Sequence, residues 1–131
     1  MSEPGREAEF RALLDQFGEG WNQGDPRRMA DAFLVDGVLQ MGPFEAPLKG
    51  RPAILDYWRD VPAAQSNVSF RYGEIYVVGP WFATEFRCTY QRRSTGDAVD
   101  VKGAIFCETR EGKLAEMRMY WERRATPSSP G

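Results

Sequence analysis

The hydrophobic period of this 131-residue chain changes once, near Asn67, and that change limits the fold more than any other feature. Before it, Phe10, Leu13, Leu14, Phe17 and Trp21 recur at intervals of three and four. They draw one apolar stripe along a helix predicted from about Pro4 to Asn22. After it the period is two, with β-branched and aromatic enrichment, which predicts strands near 67–78, 81–93, 98–109 and 114–122. The breaks Gly79-Pro80, Thr95-Gly96-Asp97 and Glu111-Gly112 are turn chemistry. Helices first and an antiparallel meander afterwards make an α+β fold rather than a parallel sheet.

The stretch between the two halves is punctuated clearly. Gly24 stops the first helix, and Asp25-Pro26 supplies an N-cap followed by proline at the first helical position. A second, shorter helix is expected to carry Met29, Ala32 and Phe33 inward. Asp36-Gly37 then turns the chain into a strand around Val38 to Met41. After a loop from Gly42 to Gly50, Pro52 starts a third helix bearing Ile54, Leu55 and Trp58. A curved sheet with three helices against one face leaves a cavity between them. No repeat or linker is visible, so residues 1–122 read as a single domain. Arg123 to Gly131, rich in Pro and Ser, reads as a disordered tail.

With 42% apolar and 13% aromatic residues the chain can bury a core of ordinary size. It has no histidine at all, which removes Ser-His-Asp and Cys-His nucleophile systems and histidine-ligated metal or haem. Neither a metal nor a cofactor is expected. Seventeen basic and nineteen acidic residues give a net charge of −2 without a basic stripe, which argues against nucleic acid and anionic membranes as partners. No apolar run approaches the roughly 18 residues that span a bilayer. Met1-Ser2-Glu3-Pro4-Gly5 lacks the pattern of a signal peptide, so a cytoplasmic location is expected. Pairing across the 95–97 turn places Cys88 opposite residue 103 or 104, which leaves Cys107 roughly 10 Å further along and out of disulfide reach. Two separate buried thiols are expected.

Four segments in this order resemble the nuclear transport factor 2-like superfamily, in its SnoaL-like and ketosteroid-isomerase-like branch. They are Trp21-Asn22-Gln23-Gly24-Asp25, Ala32-Phe33 with Asp36-Gly37-Val38, Gly50-Arg51-Pro52-Ala53-Ile54, and Arg110-Glu111-Gly112-Lys113-Leu114 leading into Arg118-Met119-Tyr120-Trp121. The likeness spans roughly residues 6 to 122 and rests on the order of the segments rather than on any one motif. It implies a cone of strongly curved, mainly antiparallel sheet with three N-terminal helices enclosing an apolar pocket. It also implies a homodimer through the outer sheet face. The scaffold hosts isomerases, cyclases, dehydratases, epoxide hydrolases and non-enzymes, so function rests on the site.

The ketosteroid isomerases of this branch use a tyrosine, a general-base Asp and a protonated Asp. By the resemblance these positions fall on Phe17, Met41 and Ala104, and none of the three is titratable. Steroid isomerisation is therefore excluded, and an acid of the usual cyclase kind is missing near Ala104 too. What remains is an apolar lining. Phe17, Trp21, Phe33, Val38, Met41, Phe44, Tyr57 and Trp58 are expected to face the cone, and from the later strands Phe86, Cys88, Ala104, Phe106, Met117, Met119 and Trp121. Such a lining suits a small hydrophobic or aromatic molecule oriented by a few polar groups.

Polar candidates are few. Tyr57 and Tyr90 can donate to a ligand carbonyl. Lys102, assigned the parity of Ala104 and Phe106, either faces the cone as a base or amine nucleophile or snorkels at the sheet edge or pairs with an acid. Glu45 lies in the loop over the mouth, either as the carboxylate candidate or as a solvated loop residue. Glu85 and Arg87 alternate with Phe86 and Cys88, so they face outward and, with Glu116 and Arg118, belong to the expected dimer surface. Three readings stay open: a cofactor-independent enzyme of cyclase, isomerase or dehydratase type using Tyr57, Lys102 or Glu45; a non-catalytic ligand-binding protein; and a dimeric interaction protein with a filled core.

Overall fold

Proline opens the first helix and glycine closes it. In the computed structural model, which describes residues 4–127, α1 runs Pro4–Gln23 and buries Phe10, Leu13, Leu14, Phe17 and Trp21. Gly24 adopts a positive φ of 67°, which ends the helix at little steric cost. The Asp25 carboxylate then accepts from the Arg28 backbone N–H at 3.2 Å, capping α2 (Pro26–Ala30). Helix α3 (Arg51–Arg59) begins after Gly50, with Pro52 in its first turn, and buries Ile54 and Trp58. A one-turn helix α4 (Val61–Ala64), not anticipated from the sequence, leads into the sheet.

Six strands form one sheet: β1 (Phe33–Met41), β2 (Leu48–Lys49), β3 (Gln65–Val78), β4 (Trp81–Arg92), β5 (Ala98–Arg110) and β6 (Lys113–Thr126). Their spatial order is β2-β1-β6-β5-β4-β3. Every neighbouring pair is antiparallel except β1 and β6, which run parallel. Register shifts between Phe33 and Val38, Ser66 and Ser69, and Tyr72 and Ile75 mark bulges, the usual means of bending long strands. At Gly103 a side chain would sit 2.1 Å from the Tyr120 carbonyl oxygen, so only glycine permits the close approach of β5 and β6 there. The result is the strongly curved α+β cone, with α1 to α3 across its concave face.

Several expectations need correction. Phe33 belongs to β1 rather than to the second helix, although it is still fully buried. Its carbonyl accepts from Arg51 Nε at 3.2 Å, which ties the start of α3 to the strand. In β1 the bulge turns Leu39 and Met41 inward, and Val38 faces away from the buried side. The last strand does not stop at Glu122 but continues through Thr126, opposite Ala98. Opposite charges meet across this extension, Lys102 with Glu122 and Asp100 with Arg124, which supports a strand where composition suggests a tail. The rest of the expected tail, 128–131, lies outside the described residues.

The largest correction concerns β5. Val99, Val101, Ile105 and Cys107 are buried, whereas Lys102 and Phe106 are exposed. Cys88 pairs with Val101, and Phe86 with Gly103, so the odd-numbered residues of β5 share the inner face. Lys102, Ala104 and Phe106 therefore belong to the outer face. The same register puts Cys107 opposite Phe82. That is six positions beyond Val101, or roughly 20 Å along the strand. Both thiols are free and buried.

On the outer face Arg87 grips Asp100 with two hydrogen bonds of 3.0 and 2.9 Å. Arg118 pairs with Glu116 and lies 5.6 Å from the centre of the Trp81 ring. Glu85 and Arg87 are exposed there, as their alternation with Phe86 and Cys88 predicts. Among the described residues no helix is long and apolar enough to cross a membrane.

Candidate functional site

Below the open end of the cone, α3, α4 and the inner faces of β4 to β6 leave a cavity of about 110 Å³. Trp21, Met41, Tyr57, Trp58, Phe86, Met119 and Trp121 line it, together with Val61, Gln65, Tyr90, Val101 and Arg123. The volume is of the order of the ~150 Å³ sealed cavity that holds a benzene molecule, and here the mouth is open. One aromatic ring fits.

The aromatic wall is held by edge-to-face packing. The Trp21 and Trp58 rings lie 4.9 Å apart and inclined by 61°, and Tyr57 meets Trp58 at 5.3 Å and 85°. Phe17 stands behind them, 5.7 Å from Trp58 and nearly perpendicular to it. Such pairs contribute about 0.5–1.5 kcal/mol each beyond their burial, which fixes the wall before any ligand arrives.

The remaining candidates lie elsewhere. Phe17, Phe33, Cys88 and Met117 are fully buried core, packed behind the wall rather than facing the cavity. Phe44 is 98% exposed on the loop after β1 and lines nothing. Ala104, Phe106 and Lys102 are on the outer face, so Lys102 has no access to the cavity. Glu45 is exposed on the same loop as Phe44 and does not line the cavity, but its charge is felt by Tyr57.

Val61, Gln65, Val101 and Arg123 escape the sequence reading. Val61 opens the short α4 and Gln65 follows it, and the only sequence signal of that helix is Pro62. Arg123 lies beyond the predicted end of β6, and Val101 follows from the corrected register.

The polar groups of the cavity are mainly donors. Trp21 Nε1 donates to Gln65 Oε1 at 2.9 Å. Because an indole N–H only donates, this bond fixes which end of the Gln65 amide is oxygen. The Trp58 N–H is closed to water and has no acceptor among the described residues, a situation that costs about 1–3 kcal/mol. Burial raises the Tyr57 pKa, and the nearby Glu45 and Tyr90 add to the shift while Arg123 opposes it, so this hydroxyl stays protonated. Arg123 sits at the mouth, 6.0 Å from the centre of the Trp121 ring. No carboxylate, lysine or cysteine among the described residues lines the cavity. Among the described residues no cluster of three or more acidic or cysteine side chains is placed to hold a metal.

A second hollow of about 170 Å³ lies on the other side of Trp21, Trp58, Val61 and Gln65, which it shares with the first. Its other walls are more polar, and several of those groups are already engaged. Arg93 Nε donates to the carbonyls of Pro62 and Gln65 at 3.0 and 3.1 Å, and Asn22 Oδ1 accepts from the Phe70 N–H at 2.8 Å.

A model of the SnoaL-like domain matches residues 14–117, most of the chain. The protein belongs to the SnoaL-like family.

Solved structures with the same fold include a putative isomerase from Bacillus subtilis, 23% identical with a TM-score of 0.78 over 87% of this chain and 88% of that one. A putative SnoaL-like polyketide cyclase from Jannaschia sp. CCS1 is 11% identical, TM-score 0.78, over 93% and 91%. An LEH-like epoxide hydrolase from M. tuberculosis is 14% identical, TM-score 0.74, over 89% and 85%. At these identities the likeness establishes the fold alone. No curated protein matches the chain.

The three residues that the resemblance set against the isomerase groups lie in different surroundings. Phe17 is core, Met41 lines the cavity, and Ala104 points away from it. The inward neighbours Val101, Gly103 and Ile105 offer no acid in place of Ala104.

Proposed function

We propose that this SnoaL-like domain binds a small hydrophobic or aromatic molecule, one ring in size, without the acid–base chemistry of the ketosteroid isomerases. A single observation carries the reading: the cavity between Trp21, Tyr57, Phe86 and Trp121 has an aromatic lining, donor groups, and neither carboxylate nor lysine. Apolar walls with a few placed polar groups are the usual form of a small-molecule site. Titrating 15N-labelled protein with toluene tests it, with indole N–H shifts expected for Trp21, Trp58 and Trp121. If those resonances do not move while the ligand is in large excess, the reading fails.

One observation favours a second reading, an enzyme of cyclase, isomerase or dehydratase type. The protonated Tyr57 hydroxyl is suited to polarise a substrate carbonyl or donate a proton to it. Should turnover of any carbonyl substrate be found, Tyr57→Phe lowers kcat in this reading, whereas Glu45→Gln acts only through Tyr57. In a pure binding protein there is no turnover for either change to affect.

For the quaternary state we propose a homodimer through the outer sheet face, around Glu85, Arg87, Glu116 and Arg118, where Phe106 is 41% exposed. Light scattering of wild type and Phe106→Glu tests this. A monomeric mass for the wild type overturns it.

A further inference from the structure

The wall shared by the two hollows shows what kind of polar atom the ligand carries. Gln65, the first residue of β3, lines both, and its Oε1 is taken by the Trp21 N–H. Its Nε2 therefore points away from Trp21, and no described residue accepts from it. Gln65 is only partly buried and its amide nitrogen is not among the atoms sealed from solvent, so that nitrogen is left available to solvent or to a ligand beside it. The Tyr57 and Tyr90 hydroxyls, also without protein partners, line the same cavity. The Trp58 N–H is also unpartnered but is sealed from the cavity, so it is not among the groups a ligand reaches. Apart from hydroxyl lone pairs and the Gln65 Oε1 already taken by Trp21, the side-chain polar groups around the cavity are donors. A ligand that places an acceptor there satisfies them, and one that places a donor leaves them unpaired.

The charge of that acceptor follows from the cations. Arg123 is the one cationic side chain of the lining. It stands exposed at the mouth, stacked on Trp121, while the cation nearest Gln65, Arg93, lines the other hollow and donates its Nε to the Pro62 and Gln65 carbonyls. A carboxylate carried inward would lose its hydration without a cation in the cavity's own lining at that end. A neutral carbonyl oxygen needs only the donors that are present.

We propose that the pocket selects a neutral aromatic carbonyl compound, a ketone or aldehyde on a single ring, with Gln65 Nε2 donating to the carbonyl oxygen and Trp21 holding Gln65 in its donor orientation. The ring lies among Trp21, Phe86 and Trp121. This assignment rests on the small-molecule reading above and adds to it the ligand class and the roles of two residues. Gln65 is the binding donor. Trp21 is a positioning residue, since it acts on the carbonyl through Gln65.

The test compares acetophenone with α-methylstyrene, which has the same shape but a methylene in place of the oxygen. By calorimetry at pH 8, Gln65→Glu keeps the acceptor for Trp21 but replaces the free donor with an oxygen. It should weaken acetophenone about tenfold and leave α-methylstyrene within twofold of wild type. Trp21→Phe should weaken acetophenone about threefold more than α-methylstyrene, an effect that lost packing alone does not produce. In wild-type protein the Gln65 side-chain amide resonances should shift with acetophenone and not with α-methylstyrene, which decides the matter even if a variant does not fold. Equal losses for both ligands, an unmoved Gln65 amide, or tighter binding of benzoate than of acetophenone would overturn the assignment while leaving the pocket intact. Failure of both neutral ligands to bind wild-type protein would overturn the small-molecule reading itself.

Discussion

Trp21 Nε1 lies 2.9 Å from Gln65 Oε1, so one hydrogen bond joins the last turn of α1 to the first residue of β3, 44 positions later in the chain. It closes the wall between the cavity and the hollow behind it. Trp21→Phe removes the bond and part of the buried ring. A loss of about 1–3 kcal/mol is expected in urea unfolding, from an unpaired Gln65 acceptor and reduced packing. An unchanged midpoint would mean that the bond carries no stability.

Two phenylalanines assigned to one pocket should behave oppositely. Phe17 is fully buried, with Trp21, Phe33, Trp58 and Phe70 all edge-on to it between 5.7 and 6.5 Å. Phe17→Ala should cost about 3–5 kcal/mol. Phe44→Ala, at a fully solvated loop position, should change stability by less than about 0.5 kcal/mol and leave toluene binding intact. Thermal melts and one titration check both.

Cys88 and Cys107 are fully buried, and burial alone pushes their thiols up, Cys88 to about 12. Since the thiolate is the reactive form, both should be silent to Ellman's reagent at pH 8 in the native protein. Two thiols should react at once in denaturant. A native thiol that reacts within seconds would contradict this burial.

Alkaline stability is set in part by Tyr72, whose hydroxyl donates to Asp15 Oδ1 at 2.6 Å. Burial first, then the Asp15 hydrogen bond, raises its pKa from 10 to about 12. Between pH 10 and 12 the unfolded tyrosine loses its proton while the folded one keeps it, so the native state binds more protons and stability falls as pH rises. The contribution is intact below pH 10. Comparing Tm between pH 9 and 11, Tyr72→Phe should show a shallower fall than wild type. Parallel curves would rule Tyr72 out as a contributor.

Lys102 carries a prediction because its face is reassigned. Lys102→Met should leave ligand binding unchanged, since its strand neighbours are Arg87 and Glu122 on the outer surface. Loss of binding in this variant would return the lysine to the cavity and contradict the register of β5.

Much of the fold is legible in the residues, because the period change at Asn67 and the turn chemistry are local signals. The stripe from Phe10 to Trp21 becomes α1 with each of its five residues buried. Strand β5 is harder, since both of its faces carry apolar residues: Ala104 and Phe106 on one, Val99, Val101, Ile105 and Cys107 on the other. The charges decide it. Asp100, Lys102 and Glu108 share parity with Phe106, and three charged groups on one face outweigh a single ring when one side must be buried. The end of β6 is hidden because a strand stabilised by cross-strand charge pairs looks like a solvated tail when read alone. The cavity itself is only half legible. Aromatic identity marks Trp21, Tyr57 and Trp121, but Gln65 becomes a site residue only once α4 and β3 bring it beside Trp21. No period or motif announces that contact.

The central claim is an apolar, ring-sized cavity open to ligand. A crystal structure of the protein soaked with acetophenone tests it most directly. The account predicts density for one ring between Trp21, Tyr57, Phe86 and Trp121, with the carbonyl oxygen within hydrogen-bond distance of Gln65 Nε2. Side chains closed on one another with no density between them, at a concentration that saturates other single-ring sites, would contradict it.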